Sequence, residues 1–284
     1  MVSATPARSR PGIPRVARRA IGGLDELGRL TSFTWAVVRA MPLSITRYRM
    51  ETLRLVGDVA LGRGALAALG GSVGVVVAMS FFTGIKVGLQ GYEGLEQIGA
   101  SALTGFISAY FNTREISPLV AGVALSATVG CGFTAQLGAM RISEEIDALE
   151  VMAVSPIPFL VASRVWAGML AVVPLYFVGL LASYLSTRSV VTLVYGQSEG
   201  TYDHYFHLFL PPEDIAWSVF KVLVFAVMVI LVHCWYGFTA SGGPAGVGMS
   251  VGRSVRFAIV AIVVLDFLLS MAIWGSTTTV RIAG

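Results

Sequence analysis

Five stretches of this chain, at roughly 65–89, 116–140, 157–187, 215–239 and 255–275, are apolar almost without interruption. A helix needs about 20 such residues to cross a bilayer, and only helices or closed barrels satisfy their backbone there. Runs of this length exclude spanning strands and predict an all-α integral membrane protein with five transmembrane helices. Composition agrees, because only 13% of the residues are charged, against about 25% in an ordinary soluble domain. Residues 95–112 are apolar but short, and they are flanked by Glu93, Glu96, Arg114 and Glu115. They read as a partly inserted helix or one lying on the outer face, with a sixth span as the alternative.

Charge sets the expected orientation. Of the 20 Lys and Arg, 15 lie in segments 1–64, 141–164 and 240–256. The positive-inside rule puts these in the cytoplasm, at a plasma (inner) membrane, with the C-terminus extracytoplasmic. Residues 1–23 are basic and hold three Pro in the first 14 positions, so they are expected to be disordered. Residues 24–60 mix Trp35, Met41 and Leu43 with spaced Arg, which suits an amphipathic interfacial helix interrupted near Pro42. Residues 61–284 would form one transmembrane domain, with a polar extracytoplasmic loop at 188–214. The basic N-terminal region lies beside an apolar domain, which favours an anionic membrane surface over nucleic acid. Gly70 and Gly74, Gly84 and Gly88, and Gly130, Gly132 and Gly138 permit close helix contacts, within one chain or between subunits.

The charges between the second and third spans are clustered. "RISEEIDALEVMAVSP" at 141–156 holds Arg141, Glu144, Glu145, Asp147 and Glu150. Ser143 is a good N-cap residue and Pro156 a stop, which predicts a short helix over 143–153. Ile142, Ile146, Leu149 and Ala153 would share its apolar face, with the acids opposite. An acidic rod is repelled by anionic lipid, so its polar face is suited to a soluble protein with a basic groove.

The same region carries a family resemblance. "REISPLVAGVALSATVGCGFTAQLGAMRISEEIDALEVMAVSP" at 114–156 resembles the core signature of the MlaE/YrbE permeases, the membrane subunits of ATP-driven lipid transporters that work with MCE proteins. "GLQGY" at 88–92, "GPAGVG" at 243–248 and "LDFLLS" at 265–270 add to it. The resemblance implies that 143–153 is the coupling helix, with Arg141, Glu144, Glu145, Asp147, Leu149 and Glu150 as its contact residues. It implies a cytoplasmic ABC ATPase dimer, a second YrbE-type permease, and an MCE-protein assembly on the outer face. The substrate would be a lipid, such as fatty or mycolic acids, moved inward. Val77, Met79, Phe81, Phe82, Leu265, Phe267 and Leu268 would be candidates for the lipid pocket wall. The family usually has a Gly-Arg pair where this chain has Ala127 and Thr128, and an acid where it has Gln136. Losing a buried charge and its partner together is chemically sensible. These departures, with the Arg-rich N-terminus, resemble a B-type subunit of an actinobacterial (mycobacterial) permease heterodimer.

Catalytic chemistry has little footing. The two lysines, Lys86 and Lys221, occur as "GIKV" and "VFKV", neither within G-x-x-x-x-G-K-[ST]. ATP and Mg would therefore belong to a separate ATPase, with no cofactor bound directly and no enzyme activity here. His204 and His207, with Asp203, Glu213 and Asp214, match no strong ligand spacing, and no metal is expected. His233, Cys131 and Cys234 read as packing residues. Asp266 reads as the one acid well inside a span, unpaired, among polar intramembrane residues that include Gln136 and Thr128. An ion-coupled carrier using Asp266 is one alternative function, and a non-transporting membrane scaffold is another.

Overall fold

The computed structural model describes residues 15–61 and 71–275, and these are helices joined by short turns, without a strand among them. Two N-terminal helices, α1 (Arg15–Arg47) and α2 (Arg49–Leu61), precede α3 (Ser72–Glu96). Next come α4 (Ser101–Ile142), a short rod α5 (Glu145–Val151) and α6 (Ile157–Val194). A ten-residue helix, α7 (Glu199–Leu208), then leads to α8 (Pro212–Phe238) and α9 (Gly243–Trp274). Five of these, α3, α4, α6, α8 and α9, are long and apolar enough to cross a membrane.

α4 is the axis of the bundle. At 42 residues it is about 60 Å long at 1.5 Å per residue, roughly twice the hydrocarbon thickness. α3, α6, α8 and α9 each pack against it, and α3 also packs along α6 and α8 along α9. α3 and α9 stand at the two ends of this arc, pack little on one another, and are the least buried of the five. Gly84 makes the α3–α6 contact close, since a Cβ there would collide with the Ser183 backbone and the Ser186 hydroxyl. Gly88, Gly130 and Gly138 likewise face neighbours within the chain, whereas nothing lies over Gly132. Gly70 lies outside the described residues.

Several boundaries differ from expectation. Residues 97–100 are a turn, and 101–112 are the opening turns of α4 rather than a sixth span or a separate outer-face helix. The charges that read as flanking, Arg114 and Glu115, sit inside that helix because partners in α8 and α9 neutralise them. α3 runs to Glu96 and α6 to Val194, so the loop expected from 188 begins later. α1 starts at Arg15, inside the segment expected to be disordered. The prolines all lie at or before position 14, and Arg and Ala are good helix formers. α1 also passes through Pro42 and breaks only at Tyr48. The carbonyl that the proline deprives of its amide partner belongs to Val38, which is exposed, so its desolvation penalty is small.

α1 is fixed to the bundle by Phe33, whose ring lies 5.2 Å from Trp235 and 5.9 Å from Phe238. Further along, Trp166 donates its indole N–H to the Met41 carbonyl at 3.2 Å, and Tyr48 meets Phe159 edge-on. α1, α5 and the 239–242 turn thus gather at one end of the bundle. The 97–100 turn and α7 gather at the other, where a Cβ at Gly105 would strike the Tyr202 carbonyl.

Candidate functional site

The rod α5 is shorter than the predicted 143–153 helix, and its caps differ from the prediction. Ser143 closes α4 instead of capping α5, with its one hydroxyl proton in reach of Ala139 O at 3.0 Å and of Glu145 Oε1 at 2.9 Å. The N-cap position falls on Glu144, in the left-handed region at φ 61°, whose carbonyl accepts the Ala148 N–H at 2.9 Å. At the far end Val154 N donates to Leu149 O at 2.9 Å and Ala153 N to Glu150 O at 3.0 Å. This is a Schellman stop, with Ala153 at φ 57° where glycine is usual. Helical phase is lost at both left-handed residues. Ile146 is therefore fully buried and Leu149 half-buried, while Ile142 and Ala153, expected on the same face, are exposed.

The outward surface of the rod is acidic with an apolar tip. Glu144, Glu145, Asp147 and Glu150 are exposed. Arg141 Nη1 lies 2.6 Å from Asp147 Oδ1 and offsets one of these charges locally. Beyond them Val151 and Met152 are 88% and 64% exposed. Neither was a candidate from sequence, where they fall inside the predicted 143–153 helix but off the face assigned to Ile146 and Leu149. Leu149, a candidate contact, instead packs toward the core.

Gln136 and Thr128 lie two helical turns apart on α4 and do not meet. Thr128 donates to its own helix at Ala124 O, 2.7 Å away. Gln136 Oε1 accepts from Arg164 Nη2 at 3.3 Å, and Arg164 Nη1 donates to Leu160 O at 2.6 Å. The buried Arg164 guanidinium lies 5.4 Å from the Phe133 ring, and its Nε finds no partner among the described residues. An acid at 136 would pair with this arginine.

A second polar site joins α4, α8 and α9 nearer the α7 end. Arg114 donates to Asp214 Oδ2 through Nε at 2.8 Å, with Nη2 2.7 Å from the same oxygen. Trp274 Nε1 donates to Asp214 Oδ1 at 3.0 Å. The fully buried Lys221 Nζ donates to Arg114 O and Ser270 Oγ, each at 2.7 Å, and to Glu115 Oε2 at 3.2 Å. Ser270 passes a hydrogen bond on to Glu115 Oε1 at 2.7 Å. Asp266 Oδ1 lies 2.9 Å from Nζ but accepts no well-directed hydrogen bond, because three other oxygens take the ammonium's protons. Asp266 is thus charge-paired, which corrects the expectation of a lone acid. The five side chains Arg114, Glu115, Asp214, Lys221 and Asp266 sum to one net negative charge. Sequence offered two signals for this cluster, Asp266 inside the last span and a lysine amid the apolar run at 215–239.

His233 also does more than fill space. Its Nε2 is 3.0 Å from Ser126 Oγ and its Nδ1 is 2.8 Å from Thr134 Oγ1, which in turn reaches Ser254 Oγ at 3.2 Å. It pins α8 to α4 and α9. Cys131 and Cys234 are free thiols. On α7, Asp203 accepts from Arg188 Nε at 2.9 Å, which holds its carboxyl below the usual range. His204 packs edge-on against Tyr205. Among the described residues no group of three or more His, Cys, Asp or Glu could hold a metal ion.

The pocket candidates fall into two separated groups. Phe81 and Phe82 on α3, and Phe267 and Leu268 on α9, are exposed on the surface. Val77, Met79 and Leu265 are half-buried. Because α3 and α9 pack little on one another, one protomer does not bring the two groups around a common cavity.

A bundle of five apolar spans, with a polar rod presented between two of them, defines a multi-pass membrane protein. Comparison with known proteins agrees. The Permease MlaE family model matches residues 61–272, about three quarters of the chain, and the chain belongs to that family. Among curated relatives it is 32% identical over 199 residues to the chloroplastic protein TRIGALACTOSYLDIACYLGLYCEROL 1 of Arabidopsis thaliana, covering 70% of this chain and 57% of that protein. The chain thus spans little more than half the length of that relative. It is 28% identical over 206 residues to a probable ABC transporter permease protein of Synechocystis, covering 72% and 78%. With a probable ABC transporter permease protein of Rickettsia prowazekii it shares 26% over 199 residues, covering 70% and 77%.

Proposed function

We infer that the chain is the permease subunit of an ATP-driven lipid transporter, receiving the ATPase's stroke through α5. The observation that carries this reading is the rod itself. α5 is too short to hold its shape alone, yet it is clamped between two spans through Ile146 and presents acids and a bare Val151–Met152 tip outward. A soluble partner with a basic-rimmed apolar socket fits that surface. Positive charge at 1–64 and 240–256 supports placing this end in the cytoplasm, where ATP is available.

A lipid substrate is supported by the exposed apolar faces of α3 and α9, and by the Arabidopsis relative, whose name contains a diacylglycerol lipid. Two permeases would bring those faces together around the acyl chains, with Val77, Phe82, Leu265 and Phe267 in the wall. Gln136 in place of the family's acid supports a heterodimer with a sister permease of the actinobacterial kind. An MCE assembly would dock at the α7 end, and the cargo would be fatty or mycolic acids or related lipids moving inward. The Lys221 pairing of Asp266 counts against a carrier built on a lone titrating acid. The test is ATP-dependent movement of fluorescent lipid in vesicles holding the native complex. Reversing Glu144, Glu145 and Asp147 to Lys should abolish it, and undiminished transport would show the rod is not the coupling element.

A further inference from the structure

We propose that a lateral groove between α1 and α8 seats one acyl chain of a bilayer phospholipid from the leaflet on the α5 side. The groove has a volume of about 540 Å³, within the range of about 300–1,000 Å³ typical of small-molecule sites. Most of its lining, including the Leu223, Val227 and Met228 floor, comes from α8, with Met169 of α6, Phe257 of α9 and Leu30 and Thr34 of α1 completing it. Among the described residues Thr34 is the only polar side chain in it, and its hydroxyl already donates to Leu30 O at 2.8 Å. A headgroup therefore has nothing to bind inside, and the groove suits hydrocarbon alone.

Length and charge argue for the same occupant. The groove follows α8 from Phe220 to Val232, a span of about 18 Å, slightly more than half of the ~30 Å hydrocarbon core. That length suits one acyl chain, and the stretch is centred on the middle of α8. At the α1 end, the helix is basic, with six Arg against Asp25 and Glu26 along Arg15–Arg47. Arg39 is exposed and stacks on the exposed Trp35 at 4.8 Å, an arrangement suited to the headgroup level of a membrane. A chain in the groove thus places an anionic phosphate against a basic helix. This seat is distinct from the exposed faces of α3 and α9.

The experiment uses the full-length protein in nanodiscs containing a phosphatidylglycerol with a diazirine on its acyl chain. After irradiation, adducts are mapped by mass spectrometry. On α8 between 220 and 232 they should saturate at one per chain, whereas on the exposed α9 face at Val260 and Val263 they should rise in proportion to probe. Val227→Trp, filling the floor, should remove the saturable adduct and leave the α9 labelling intact. Thr34→Trp, filling it from α1, should do the same. Non-saturating labelling of α8 in the parent protein would overturn the proposal, as would saturable labelling unchanged in both variants. A diazirine fatty acid that saturates the groove despite excess phosphatidylglycerol would overturn the phospholipid as occupant.

Discussion

Replacing Lys221 with Met removes a fully buried ammonium while keeping most of the side-chain volume. The carboxylate of Asp266 at 2.9 Å and that of Glu115 at 3.2 Å then lose their shared cation, and Arg114 O loses its donor. Stranding one half of a buried ion pair costs about 3–5 kcal/mol. At ~2–4 °C per kcal/mol, thermal unfolding should fall by roughly 6–20 °C. A second substitution makes the reasoning specific. In Lys221→Met with Asp266→Leu the orphaned charge next to the vacancy is gone, so the pair should recover about half or more of the loss, as buried pairs exchanged for apolar ones do. The assay is thermal unfolding in nanodiscs of the parent, both single variants and the double. A Lys221→Met variant within about 2 °C of the parent, or a double variant as poor as the sum of the singles, would refute the pairing as a source of stability.

Two further outcomes follow from the local geometry. Ala153→Gly removes the side-chain penalty of the left-handed stop after α5, and should stabilise that turn by about 1 kcal/mol, read as slower amide exchange at Val154. Burial pushes Tyr202 up to about 12, with the neighbouring Ser108 hydroxyl opposing it. Its folded value lies above the unfolded one, so its contribution is complete below about pH 10 and is lost as pH rises toward 12. Tyr202→Phe should flatten the stability curve in that window when unfolding is followed against pH.

The five spans were legible because nothing but a membrane helix tolerates apolar runs of that length, and the rod because its acids interrupt them. Its ends were not. Ser143 has the chemistry of an N-cap, but α4 uses its hydroxyl first, and a left-handed Glu144 leaves no pattern in sequence. The run at 95–112 looked like a separate element because Arg114 and Glu115 read as solvated flanks. Their partners, Asp214, Lys221 and Ser270, lie 100 or more residues away in sequence, and helical periodicity carries no information about such contacts. Asp266 looked alone for the same reason. Val151 and Met152 were hidden differently, since exposure of an apolar residue depends on where the helix stops.

If α5 is the docking point of a separate ATPase, retention of that ATPase must depend on the rod's apolar tip. The native complex should be solubilised from membranes carrying either the parent chain or Val151→Asp with Met152→Asp, and the ATPase recovered per permease quantified. Both side chains stand outside the core, so the variant should remain folded and monodisperse. Docking through α5 predicts that the variant loses its ATPase while the parent retains it. Equal retention by a folded variant would contradict that docking.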